Sequence, residues 1–344
     1  MKRKKRIFTW ITFSLIIQIL GFIYIDKIFL SENTSLTSKK VTKKDTLVKK
    51  DIDISIPKEA ENIKLSFDGT YVSYYIDDEL KIINTKTSEE NEIFFDQDET
   101  LQFYKWLPDR NRMLIAEKHN SNKGDKLSLF YYDKDKDAKE KIKDLTWADE
   151  NSKVEDIQYS IFTNVIDVKV LRGEKRSDFY WIDINTKLKN LYLNSDYIGK
   201  IAILNNEDKL VYEDKTYNKI YSTGIKGSIK IENVHNSKLL GVDNDDNIYI
   251  GSLENEKISK IYYGSLDSST SEWKIVNLKN AENPENIFML PNGKLVINDI
   301  LKGVIKETTT EKEYSYSGKF IQFYSTGIAS IKDGRLIKTY FNQN

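Results

Sequence analysis

Seven times along this chain a turn rich in Gly, Asn or Asp is flanked on both sides by runs of β-branched and aromatic residues. The copies are LSFDGTYVSYY around Gly69, WLPDRNRMLIA around Arg110, IQYSIFTNVIDVKVL around Asn164, ILNNEDKLVYE around Asp208, GVDNDDNIYIG around Asp246, MLPNGKLVIND around Gly293 and SIKDGRLIKTY around Gly334. Tight hairpin turns need positive φ at a central position, which Gly, Asn and Asp tolerate best. The flanking runs have the alternating, β-branched character of strands, and few windows show a helical period. Most centres lie about 40–50 residues apart, the length of a four-stranded propeller blade. The pattern therefore predicts an all-β head, a β-propeller of seven blades. The poor copy at Asn164 and the long step leading to it keep six or eight blades open.

After each hairpin a further apolar strand and a polar tail recur, as in ELKIINTKTSEENEI, KLSLFYYDKDKDAKEK, DFYWIDINTKLKNLYL and KISKIYYGSLDSS, which read as third and fourth strands. With Phe67, Asp68 and Gly69 in the first hairpin, Leu107, Pro108 and Asp109 in the second, and later turns at Asn84-Thr85-Lys86-Thr87 and Asn185-Thr186-Lys187, the chain resembles the broad family of WD-like and TolB-like β-propellers. The resemblance spans roughly residues 55–341. It implies a fold and no particular activity. An open ring would leave unpaired strand edges. The last hairpin is followed by little chain, so the IDISI run at Ile52 to Ile56 is expected to supply the missing outer strand.

The head is preceded by segments of different character. Residues 1–6 form a basic tail, and Ile7 to Ile25 is uncharged, roughly 28 Å long as a helix against a ~30 Å hydrocarbon core. This stretch reads as a retained transmembrane anchor, of the signal-anchor type. A cleaved signal peptide is the rival, but the apolar run is long and no small-x-small pair precedes a cleavage point. The five basic residues before Ile7 put the N terminus in the cytoplasm and the C-terminal domain outside, at the cell membrane. Residues 26–51 are polar, rich in Lys, Ser and Thr, and read as a flexible stalk. Residues 52–344 are then the propeller. The chain has no cysteine, which removes thioester lipidation as a tether. Its 53 basic residues balance 53 acidic ones, so nucleic acid is not an expected partner.

Candidate chemical sites are few, and no catalytic, cofactor-binding or metal-ligating residue is assigned. His119 and His235 lie far apart in polar, turn-like surroundings and read as surface histidines. No G-x-S-x-G elbow occurs. Two acidic runs imitate calcium loops: Asp133, Asp135 and Asp137 with Asp144, and Asp243, Asp245 and Asn247 with Glu254. Ala138 and Ile248 stand where the loop needs Gly, so both read instead as turn or surface carboxylates. Adjacent tyrosines (Tyr74-Tyr75, Tyr131-Tyr132, Tyr262-Tyr263) should send one ring to each face of a blade, since strand neighbours point oppositely. A carbohydrate platform would need several such rings on one face. Two function classes remain: a membrane-tethered binding or sensing module for an envelope protein, peptide or polymer, and a lyase or hydrolase using acidic residues in the axial channel.

Overall fold

A computed structural model of the chain describes residues 2–24, 52–122 and 124–341. The chain divides into two units, residues 1–50 and 51–344.

In the first unit, helix α1 spans Lys2–Tyr24. Among the described residues no helix is long and apolar enough to cross a membrane, so the transmembrane span expected over residues 7–25 is not supported. Lys5, Arg6, Thr12, Ser14 and Gln18 are polar positions within the helix. The stalk expected over residues 26–51 lies outside the described residues.

The second unit is a seven-bladed β-propeller, one antiparallel sheet per blade. Blade 1 holds β1 (Glu61–Leu65), β2 (Tyr71–Ile76), β3 (Glu79–Asn84) and β4 (Glu90–Phe94). Blade 2 holds β5 (Glu99–Trp106), β6 (Arg112–His119), β7 (Asp125–Asp133) and β8 (Ala138–Ala148). Blade 3 holds β9 (Ser152–Tyr159), β10 (Ile166–Arg172), β11 (Ser177–Ile182) and β12 (Leu188–Leu191), and blade 4 holds β13 (Ile198–Ile203), β14 (Leu210–Asp214) and β15 (Lys219–Ser222). Blade 5 holds β16 (Ser237–Val242), β17 (Ile248–Glu254), β18 (Lys257–Gly264) and β19 (Lys274–Glu282). Blade 6 holds β20 (Ile287–Met289), β21 (Leu295–Asp299), β22 (Val304–Glu307) and β23 (Glu313–Ser315), and blade 7 holds β24 (Lys319–Tyr324), β25 (Gly327–Lys332) and β26 (Arg335–Tyr340). The first strand of each blade lies innermost, and six of the seven neighbouring pairs of inner strands, all but β20 and β24, pack on one another around the axis.

Two expectations about strands change. Blade 4 has three strands, because after β15 Gly224 and Gly227 turn the chain at φ +82° and +80° and only a Tyr221–Ser228 bridge marks a fourth. The Gly334 turn is the second hairpin of blade 7. The counterpart of the other six turns is Ser325-Thr326, between β24 and β25, a turn too short and too poor in Gly or Asp to stand out in the sequence. The ring closes through the N-terminal segment: Ser55 bridges Arg335, the Ile56 amide donates to the Gly334 carbonyl at 2.7 Å, and the Leu336 amide to Ile54 at 2.9 Å. Ile54 and Ile56 are buried at this seam, so the closure is apolar as well as hydrogen-bonded.

Seven hydrophobic clusters form the core, one at each interface between neighbouring blades. Strand alternation builds them. In β2, Val72 and Tyr74 face blade 7 while Tyr71 and Tyr75 face blade 2. The other tyrosine pairs divide likewise: Tyr131 and Tyr132 enter different clusters, as do Tyr262 and Tyr263. Each blade is thus apolar on both faces. Fully burying one such large side chain contributes about 1.5–3 kcal/mol, so every interface is held chiefly by packing. Six of the seven inner strands also carry a β-bulge, at Glu61/Lys64, Leu101/Phe103, Lys169/Val170 in the β9–β10 pair, Ile198/Ile201, Leu239/Gly241 and Phe320/Gln322. Such bulges bend and re-aim a strand, here where the sheet turns toward the axis.

Candidate functional site

The turns that end the inner strands gather at one end of the propeller and are tied to one another. The Phe162 amide donates to Asn205 at 3.3 Å, the Asn244 amide to Pro291 at 2.9 Å, and the Ser325 amide to Phe67 at 2.8 Å. Asp246 accepts from the backbone amides of Asn205 and Asn206, joining blades 4 and 5. Asp243 accepts from the amides of Asp245 and Asn247 and from the Tyr249 hydroxyl, which keeps its own turn in shape. The second calcium-like run is therefore occupied in fixing turns.

A cavity of about 670 Å³ opens among these turns, on blades 1, 2, 5, 6 and 7. Its wall is mainly apolar and aromatic: Phe67, Trp106, Leu290, Phe323, Tyr324 and Phe341 contribute, with Tyr314 behind. Asn244, Asn292 and Gln322 provide amides, and Lys294 pairs with the buried Glu307 at 3.1 Å. Trp106 is held from beneath. Its indole N–H donates to Ser73 Oγ at 2.8 Å, and Tyr104, fully buried beside it, donates its hydroxyl to the Asn62 carbonyl. An apolar concavity with a few fixed polar groups is the usual form of a ligand site.

Lysines line the axis. Lys64 on β1 donates to the Tyr104 carbonyl of β5, Lys105 on β5 to Ile157 of β9 at 2.8 Å, and Lys200 on β13 to Leu240 of β16. Each ammonium thus reaches to the next inner strand. Lys64 lies 4.2 Å from the Phe103 ring centroid and 4.7 Å from that of Tyr104. Burial pushes it down to about 8, helped by the Lys105 charge and opposed by Asp156. Lys200 is also lowered, first by burial. Lys105 pairs with Asp156 at 3.7 Å. Lys200 also lines a cavity of about 310 Å³ that holds Lys169 and Glu155, 2.8 Å apart, and Lys238 and Glu213, 3.1 Å apart. The axis therefore carries lysines, with the acidic residues Asp156, Glu155 and Glu213 paired to lysines there and beside it.

The other sequence candidates do not meet. His119 lies at the end of β6, 3.3 Å from Asp98, and neither histidine lines the cleft. Asp133 accepts from the Asp135 amide and pairs with Arg112 at 2.7 Å, Asp137 accepts from the Tyr132 hydroxyl, and Asp144 pairs with Lys126 at 2.6 Å. With Asp135, these four are spread over the end of β7, a turn and β8. Among the described residues no group of three or more His, Cys, Asp or Glu is placed to hold a metal. Sequence reading missed the axial lysines and the cleft. Lys64 and Lys105 do share a place, the penultimate position of their strands, and aligning the hairpins with one another would have exposed it. The cleft draws on five blades and has no linear signal.

No family model and no curated protein matches the chain. Among solved structures, a prolyl endopeptidase superposes with a TM-score of 0.53 at 14% identity, over 76% of this chain and 42% of that one. The dipeptidyl peptidase 4 of Porphyromonas gingivalis gives 0.49 at 13%, over 78% and 49%, and a luciferin-regenerating enzyme 0.42 at 10%, over 84% and 94%. The first likeness supports the propeller fold. This chain spans less than half the length of that endopeptidase.

Proposed function

We propose that the protein is a tethered binding module whose hairpin-end cleft takes an extended peptide segment bearing apolar side chains. The observation that carries this reading is the 670 Å³ cleft itself, with aromatic walls and side-chain amides. Amides such as Asn244 and Asn292 suit the main chain of a peptide, and Phe67 and Phe323 suit its side chains. The lysine-rich axis behind the cleft disfavours basic segments. The membrane seat is proposed from α1, where Trp10, Ile11, Phe13, Leu15, Ile16, Ile17 and Phe22 are all exposed apolar side chains that need cover, and from the basic residues before Ile7. On this reading the propeller lies outside the cytoplasm, facing an envelope peptide or protein.

A hydrolase is the second reading, since a peptidase shares the fold. It suits the cleft as well as binding does, because Ser325 and Thr326 bring hydroxyls to the wall. The two separate in one experiment. A positional-scanning library of blocked decapeptides is passed over the full-length protein and its Phe67→Ala variant. Selective retention of peptides with apolar residues, at least tenfold weaker in the variant, is expected. Equal retention by both proteins contradicts the cleft, and reproducible cleavage establishes the hydrolase.

A further inference from the structure

A second, smaller cavity lies between blades 3 and 4, about 180 Å³, on the same end of the propeller but away from the cleft. Asp167, on β10, is only 1% exposed and lines it, yet its Oδ1 has no hydrogen-bond partner. Asp208, in the turn between β13 and β14, faces the same space and accepts the indole N–H of Trp181 at 2.8 Å. Lys189 Nζ lies 4.2 Å from the Trp181 ring centroid, so this indole already serves a cation. Among the described residues neither carboxyl group is in an ion pair. Two acids therefore face one lysine.

A buried carboxyl group with an unused acceptor costs free energy unless something donates to it. The wall offers acceptors and an aromatic face, and Thr223 Oγ1 is already engaged by the Leu210 amide at 2.9 Å. A positively charged, hydrogen-donating group with a small apolar stem satisfies both carboxyl groups. Too few carboxylates converge for a metal shell. An alkylammonium satisfies Asp167 and Asp208, its short stem lying beside Leu191 and Leu210, which also line the cavity.

We propose that the Asp167–Asp208 cavity is a binding site for a primary alkylammonium group, from a free amine or from a lysine side chain of a partner. The site is independent of the aromatic cleft. Its test uses the full-length protein in non-ionic detergent, ¹⁵N-labelled at tryptophan, with the Trp181 indole signal assigned through Trp181→Phe. Methylammonium chloride and blocked lysine (Nα-acetyl-lysine amide) are titrated separately at constant ionic strength against sodium chloride. A saturable shift of the Trp181 indole signal with either probe, weakened at least tenfold in Asp208→Asn, supports the site. Response to both probes indicates a lysine side chain, and response to methylammonium alone indicates a free amine. Shifts no larger than those with sodium chloride, or a shift undiminished in Asp208→Asn with its other indole signals unchanged, overturn the proposal.

Discussion

Asp167 and Tyr104 show how single buried groups set the properties of this propeller. Burial pushes Asp167 up to about 8, with Asp208 adding to it, while the unfolded chain holds such a carboxyl near ~3.9. Between about pH 4 and 8 the folded protein therefore keeps a proton that the unfolded chain has lost, and stability falls as pH rises, by at most ~1.4 kcal/mol per pH unit from this group. The charged groups facing it across the cavity are Asp208 and Lys189. Asp167→Asn should flatten that slope in urea unfolding measured from pH 4 to 8; an unchanged slope would contradict the burial. Tyr104→Phe leaves the Asn62 carbonyl without its donor and should cost about 1–3 kcal/mol in the same assay. Because Ser73 also bonds to the Tyr104 hydroxyl and holds Trp106, Ser73→Ala and Tyr104→Phe should be non-additive in a double-mutant cycle.

Strands and turns were the legible part of this chain, and their exceptions have local causes. Six of the hairpin centres fall at equivalent turns, and four of these carry positive φ or a self-bonding Asp, at Gly69, Asn164, Asp246 and Gly293. The seventh equivalent turn, Ser325-Thr326, has neither, so the Gly334 turn took its place in the count. Blade 4 lost its fourth strand to glycine turns that period alone does not weigh. The closing segment was readable from IDISI because an open edge demands a partner, and Ile54 and Ile56 fill an apolar seam against Leu336 and Tyr324. A protein starting at Ile52 should therefore keep the melting temperature of the full chain. One starting at Lys58 should melt several degrees lower, since it exposes β26; equal melting temperatures would exclude closure by this segment.

The assembled propeller places its cleft where no stretch of sequence could announce it. Phe67, Trp106, Leu290 and Phe323 come from four blades, and only closure of the ring brings them together. The proposed membrane seat has its own check: protease added to intact cells should remove the propeller, and protection until lysis would reverse the orientation. The cleft is tested most directly in that same setting. A photo-crosslinking residue is placed at Asn292, exposed on the cleft rim, and as a control at Lys136, exposed on a turn of blade 2 away from it. After irradiation of living cells, mass spectrometry should find a discrete peptide or protein segment with apolar side chains joined at position 292 and absent at position 136. No adduct at 292, or the same adducts at both positions, would contradict a peptide-binding cleft.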